Sequence, residues 1–384
     1  MVSRWIGASA LVALFSFAAW LVDNEQLPAA KLARNDYPTF SPINRSNTLL
    51  RNHVLQGPSA YSVETIIFSP GGRMFGLQGD GYLVEFDSDS QTARSKRVIY
   101  LGPGRLLGGK FHSDHTLFIA CALKGLLRVH FDKSFVNRPS VELVYSEGIT
   151  LADDIAIGPI SKKVYFTVAT DILPWRTRKS QDEFDVVGAS ILDCIRGKPA
   201  GKVLEYNPQT GHVNVLAEGL WFANGLTISP DESYLLVAET FAARLTKIWL
   251  RRPERGRREV LASRFPGYID GVTIDPKAHT AWVAVPTAAP RLAGLISSLP
   301  SDVMDQLIRS ALMLLPSWML PAQSPYSCLV EVSLEDGAIL RELQDPDGQR
   351  MRMVTSVVIR NGNLYLGSLE TNFVGVIRLD SLST

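Results

Sequence analysis

The chain has 384 residues, 46% of them hydrophobic and 20% charged, with a formal net charge of +1. That balance excludes a disordered protein and lacks the basic excess on which nucleic-acid binding depends. Three scattered cysteines, Cys121, Cys194 and Cys328, fit no zinc spacing and allow at most one disulfide.

The first element is WIGASALVALFSFAAWLV, Trp5 to Val22, an uncharged run with a tryptophan near each end. As a helix it is about 27 Å long at ~1.5 Å per residue, close to the roughly 30 Å of a bilayer core. The leading reading is an uncleaved transmembrane signal-anchor. A signal peptide removed after Ser16-Phe17-Ala18 or Pro28-Ala29-Ala30, and a buried soluble helix, stay open as alternatives. Arg4 precedes the run and Asp23 and Glu25 follow it, which places the bulk of the chain on the lumenal or extracellular side, or secretes it after cleavage. Asn44-Arg45-Ser46 is then a glycosylation acceptor. Residues 1–22 are read as the anchor, 23–47 as a tether and 48–384 as the folded body.

From there the chain reads as strands and turns. Short runs rich in Val, Ile, Leu, Phe and Tyr alternate with Pro-Asp, Gly-Gly, Asn-Gly and Asp-Gly. The turns align in VETIIFSPGG from Val63, LLGGKFHSDH from Leu106, LADDIAIGPI from Leu151, FANGLTISPD from Phe222, YIDGVTIDPK from Tyr268 and MVTSVVIRNG from Met353. Each is followed by a second strand such as RMFGLQ, KVYFTV or TAWVAV. Six such units predict an all-β, six-bladed β-propeller; a sandwich or two stacked β domains would not repeat one turn register six times.

Six positions before each turn residue stand Glu64, Leu107, Asp153, Asn224, Asp270 and Thr355. First strands of propeller blades line the central channel, so these positions form a ring. Carboxylates about 5 Å apart repel by roughly 3 kcal/mol at an effective dielectric near 20, and a hard divalent cation relieves that conflict. Glu64, Asp153, Asn224 and Asp270 are therefore candidate ligands of Ca²⁺, whose flexible oxygen coordination suits a ring with two vacant places better than Mg²⁺ does. The competing reading makes each residue a turn cap. Asp154, beside Asp153, is expected to point away and bond a neighbouring strand, although the two could exchange roles.

The stretches FANGLTISPDESYLLVAET, LADDIAIGPISKKVYFTVAT, GYIDGVTIDP and NLYLGSLETNFVGVIRLD resemble the strictosidine synthase-like family, in particular its membrane-anchored branch. This branch belongs to a calcium-dependent propeller superfamily that also holds paraoxonases and gluconolactonases. The resemblance spans roughly residues 48 to 380 and implies the same four metal ligands, with Asp153 where the hydrolases usually carry Asn. It also implies a glutamate in the last blade for the synthase's amine–aldehyde condensation. Met351 to Gly362 contains no carboxylate, so that chemistry is not expected. The paraoxonases' histidine pair has no counterpart either: His112, His115, His212 and His279 fall in turns outside the ring register.

The expectation is a hydrolase of small esters or lactones, with Asp270 as base or nucleophile and Glu64 as the next candidate. The rival is a non-catalytic, membrane-anchored binding platform with structural calcium. RLAGLISSLPSDVMDQLIRSALMLLPSWMLP, Arg291 to Pro321, is the one stretch of helical spacing. It links two strands of the fifth blade as an apolar lid, a rim-packed helix or a membrane-resting one. RRPERGRR, Arg251 to Arg258, reads as a solvated loop. Oligomeric state is not encoded in any recognisable pattern.

Overall fold

Alternating apolar runs and turn residues form six four-stranded antiparallel sheets, arranged as the blades of a propeller. The computed structural model describes residues 28–32, 37–86, 95–176, 184–289, 302–315 and 325–382. The expected anchor at 5–22 lies outside the described residues. Among those described, no helix is long and apolar enough to cross a membrane.

The innermost strands are Val63–Phe68, Leu106–Ser113, Ala152–Ile157, Ala223–Ile228, Val272–Asp275 and Val354–Arg360. The second strands, such as Met74–Gln78, Val164–Val168 and Thr280–Val285, are buried along their whole length. They are covered on both faces, which is why TAWVAV is continuous rather than alternating. Six apolar cores lie between successive blades: Phe75, Leu83 and Leu127 fill the gap between blades one and two, and Trp282, Leu329 and Leu366 that between five and six. Each such fully buried side chain stabilises the fold by ~1.5–3 kcal/mol.

Blade six takes its outermost strand from the other end of the body. Leu55–Ser59 pairs antiparallel with Phe373–Arg378, Leu55 opposite Val376, and so closes the circle. Closure ties the two ends of the body together, and the radial arrangement leaves only short, protected edges.

Helix α1, Leu49–His53, seats Leu50 in the core between blades five and six. Helix α2, Val186–Arg196, lies between the second and third strands of blade three. Asp185 caps its start by accepting from the Gly188 amide at 2.7 Å, and Gly197 ends it in the left-handed region at φ +67°. Helix α3, Asp302–Met313, lies between the second and third strands of blade five.

Two of the three sequence readings of α3, the lid and the rim-packed helix, turn its apolar face inward. Instead its buried positions are Asp305, Gln306, Arg309 and Ser310, while Met304, Ile308 and Leu314 are 38%, 37% and 80% exposed. Hydrogen bonding explains the inversion. Arg309 is held by the Asp305 carboxylate at 2.8 Å and donates to the carbonyls of Ile195 and Arg196 at the end of α2, and to that of Ala30. Gln306 donates to the Ala29 carbonyl at 2.8 Å. A polar face is the stable choice where a helix must satisfy another helix's last carbonyls and those of a passing irregular segment.

That segment is part of the expected tether. Ala29 and Leu32 are buried, the Ala30 amide donates to the Arg196 carbonyl, the Tyr37 hydroxyl donates to Asp305, and Phe40 stacks edge-on against Tyr268.

Candidate metal centre

The ring positions sit where the inner ladders are broken. Pairing between first and second strands slips between Val63 and Thr65, Leu106 and Gly108, Ala152 and Ile155, Ala223 and Leu226, and Val354 and Ser356. Each slip is a bulge that contains the ring residue, and bulges re-aim side chains. In blade five the strand starts only at Val272, after Asp270.

All six register residues, Glu64, Leu107, Asp153, Asn224, Asp270 and Thr355, line a single cavity of about 30 Å³. Asp154 and Lys110 also reach its wall. Two glycines let the inner strands come this close. A Cβ on Gly225 would stand 2.5 Å from the Asp270 carbonyl oxygen, and one on Gly271 would stand 2.5 Å from that of Thr355. This is the reason for the Asn-Gly and Asp-Gly pairs inside strands, and sequence reading took them only as turn punctuation.

Asp154 bonds the next blade, as expected: its carboxylate accepts from the Leu226 amide at 2.8 Å and from its own neighbour Ile155 at 2.7 Å. Thr167 continues the stitching, donating to the Asn224 carbonyl at 2.9 Å. The Thr355 hydroxyl donates to the Glu64 carbonyl at 3.2 Å and Ser356 donates to the same oxygen at 2.7 Å. Ring residues are thus fixed from both sides by backbone and hydroxyl contacts.

The electrostatics are those of crowded carboxylates. Burial raises Asp153 well above the usual carboxylate range, and the charges of Glu64 and Asp154 push it further. Asp270 is raised for the same reasons, burial first and then Glu64, Asp153 and Asp154, with a hydrogen bond from Asn224 pulling back. Glu64 is raised by burial and opposed by Arg105. Asp154 is raised by burial and opposed by Lys110. Glu64, Asp153 and Asn224 are 7%, 9% and 7% exposed; Asp270 keeps more contact with solvent.

Arg105 is the feature that sequence reading missed. Its Nε donates to Glu64 Oε2 at 2.9 Å within the fold. The signal was legible, since Arg105 is the one charged residue two places before a ring position; Ser62, Leu151, Phe222, Tyr268 and Met353 hold the equivalent places. Among the described residues, no three acidic, cysteine or histidine side chains are gathered in an arrangement that could hold a metal ion. The candidate ligands share a cavity wall without converging on a point.

An apolar cluster adjoins the ring at Leu107. Val186 of α2 packs with Leu107, Leu151 and Phe222, and Phe241 joins them. Phe222, Phe241, Tyr268 and Phe40 form a chain of ring contacts with centroids 4.8 to 5.4 Å apart. His112 and His115 stay outside the ring: His112 contacts the Lys162 carbonyl and His115 packs on Phe135, leaving both half-buried, and His112 lies in the strand Leu106–Ser113 rather than in a turn.

Comparison with known proteins places this geometry. The strictosidine synthase family profile matches residues 177–253. The adipocyte plasma membrane-associated protein of Rattus norvegicus is 30% identical over 283 residues, covering 73% of this chain and 71% of that one. The chain belongs to this strictosidine synthase-like family. Its fold is shared with a gluconolactonase of Xanthomonas campestris (TM-score 0.56, 12% identity, 89% and 94% of the two chains). It is shared almost as well with a chain of a nidogen–laminin complex (TM-score 0.52, 12% identity, 81% and 90%). Unlike the synthase expected from the family, this member has Thr355 and no acid in the last-blade segment Met351 to Gly362.

Proposed function

We propose that the chain is a calcium-dependent hydrolase of small esters or lactones, with its centre on the propeller axis. The observation that carries this reading is the single cavity lined by Glu64, Asp153, Asn224 and Asp270. Their chemistry fits Ca²⁺: the donors are all oxygens, three carboxylates and one amide, and burial with mutual repulsion leaves Asp153 and Asp270 uncompensated. Four carboxylates around the cavity face two cations, Lys110 and Arg105, which leaves a deficit of two charges that a divalent ion matches. Holding one requires these side chains to draw together from the cavity wall and Glu64 to divide its carboxylate between Arg105 and the ion.

When bound, calcium would polarise an ester carbonyl and stabilise the charge developing on its oxygen. The chain's own groups do the rest. Asp270 is partly open to solvent, so it is the carboxylate placed to take the proton from water or to attack directly; Glu64 is the second candidate. Asn224 holds the Asp270 carboxylate by its side-chain hydrogen bond. Asp153 supplies charge.

The cavity of about 30 Å³ is an order of magnitude below the roughly 300–1,000 Å³ of small-molecule pockets. Turnover therefore requires the ring, and the α2 cluster beside Leu107, to open. The same narrowness favours the second reading, a platform with structural calcium, and likeness to a chain of a nidogen–laminin complex agrees with it. A phenyl acetate and lactone panel, with and without EGTA, separates the two. Calcium-dependent turnover lost in Asp270→Ala and in Asn224→Ala supports the hydrolase. Chelation that lowers the melting temperature while no substrate is consumed supports the platform.

Membrane attachment through Trp5–Val22 belongs to the same proposal, supported by that apolar run and by the plasma-membrane association in the rat relative's name. Resistance to alkaline carbonate extraction, with glycosidase-sensitive mass at Asn44, is the expected result. Full release by carbonate removes the anchor from the account.

A further inference from the structure

Arg105 is 8% exposed and occupies a fitted slot beside the ring. Its Nε meets Glu64 Oε2 at 2.9 Å and a terminal nitrogen donates to the Ser62 hydroxyl at 2.5 Å. Gly79 makes the slot, since a Cβ there would stand 2.8 Å from the guanidinium carbon. Ser62 is held in the left-handed region at φ +45°, unusual for a residue with a side chain. The Ser62 hydroxyl is itself anchored, donating to the Leu369 carbonyl at 2.7 Å.

A cation built this firmly against a candidate ligand competes with any ion that would share the ligand. It also sets the charge of the ring, because without it the four carboxylates face Lys110 alone. We propose that Arg105 is a positioning residue that sets the affinity and charge selectivity of the centre, keeping one Glu64 oxygen engaged so that Ca²⁺ binds reversibly and trivalent ions gain no advantage. This rests on the calcium reading above and adds the regulation of that site.

Isothermal calorimetry on the full chain, with Ca²⁺ and with Tb³⁺, tests it. Arg105→Gln removes the charge and should lower the Ca²⁺ Kd at least about tenfold, with a larger gain for Tb³⁺, because like-charge repulsion scales with ion charge. Arg105→Lys keeps the charge and should stay within about threefold of the wild type. An unchanged or weaker Kd in a natively folded Arg105→Gln protein overturns the role of Arg105 while leaving the calcium reading standing. Absence of binding in wild type and variants alike overturns both. Should Arg105→Gln fail to fold, Ser62→Ala loosens the same guanidinium and should lower Kd about two- to fivefold; an unchanged value again overturns the proposal.

Discussion

The amide of Leu226 in blade four donates to the carboxylate of Asp154 in blade three at 2.8 Å, across the boundary between two inner strands. Both carboxylates line the cavity, but Asp153 and Asp154 divide their work: Asp153 is the register residue, and Asp154 also fastens two blades together. Asp154→Ala leaves the buried Leu226 and Ile155 amides without that acceptor, so urea denaturation should show a loss of ~1–3 kcal/mol, while Ca²⁺ affinity falls by less than in Asp153→Ala. Asp153→Ala should do the reverse, weakening Ca²⁺ at least about tenfold. Equal effects of the two on ion binding would contradict the division.

Gly225 sets the spacing of two candidate ligands. A methyl there meets backbone, the Asp270 carbonyl at 2.5 Å and the Gly271 Cα at 2.6 Å, and backbone does not yield as a side chain does. Gly225→Ala should cost ~1–3 kcal/mol or more by overpacking and abolish Ca²⁺-induced stabilisation in differential scanning calorimetry.

Arg309 joins α3, the end of α2 and the segment at Ala30. Both it and Asp305 are nearly inaccessible, so Arg309→Met strands a buried carboxylate at a cost of ~3–5 kcal/mol. The expected signature is local: limited proteolysis should cut between residues 28 and 40 and around α3, while far-UV dichroism of the blades is retained. Simultaneous loss of the whole fold would show that the cap is integral to the propeller.

Asp193 gives a pH dependence of known sign. Burial raises its carboxyl from 3.8 to about 6, with Thr170 and Arg196 opposing. The folded state therefore holds the proton more tightly than the unfolded chain. The resulting stabilisation, of order 3 kcal/mol, is fully present below about pH 4 and is lost as pH rises through 6. The difference in unfolding free energy between wild type and Asp193→Asn, followed from pH 4 to 7, should trace this loss. A flat difference would refute it.

Fold and ring were legible for one reason and the cap was not for another. A propeller repeats its turn chemistry, so Pro70, Pro159, Pro230 and Pro276 marked equivalent positions, and counting back from them reached residues that do line one cavity. The count worked although it ignored the bulges, because the same bulge recurs in five of the six blades. Helix α3 misled because apolar periodicity predicts burial only when the surroundings are apolar; here they are carbonyls of α2 and of Ala29 and Ala30. Arg105 escaped notice because its partner, Glu64, is 41 residues away. Its charge two places before a ring position marks the site, but nothing local names the partner.

Anomalous diffraction from a crystal soaked with Tb³⁺ in place of Ca²⁺ addresses the centre itself. The account predicts one strong peak on the propeller axis, within roughly 2.3–2.6 Å of oxygens from Glu64, Asp153, Asn224 and Asp270. An axis without a peak at saturating Tb³⁺, or a peak bound by other residues, would contradict it.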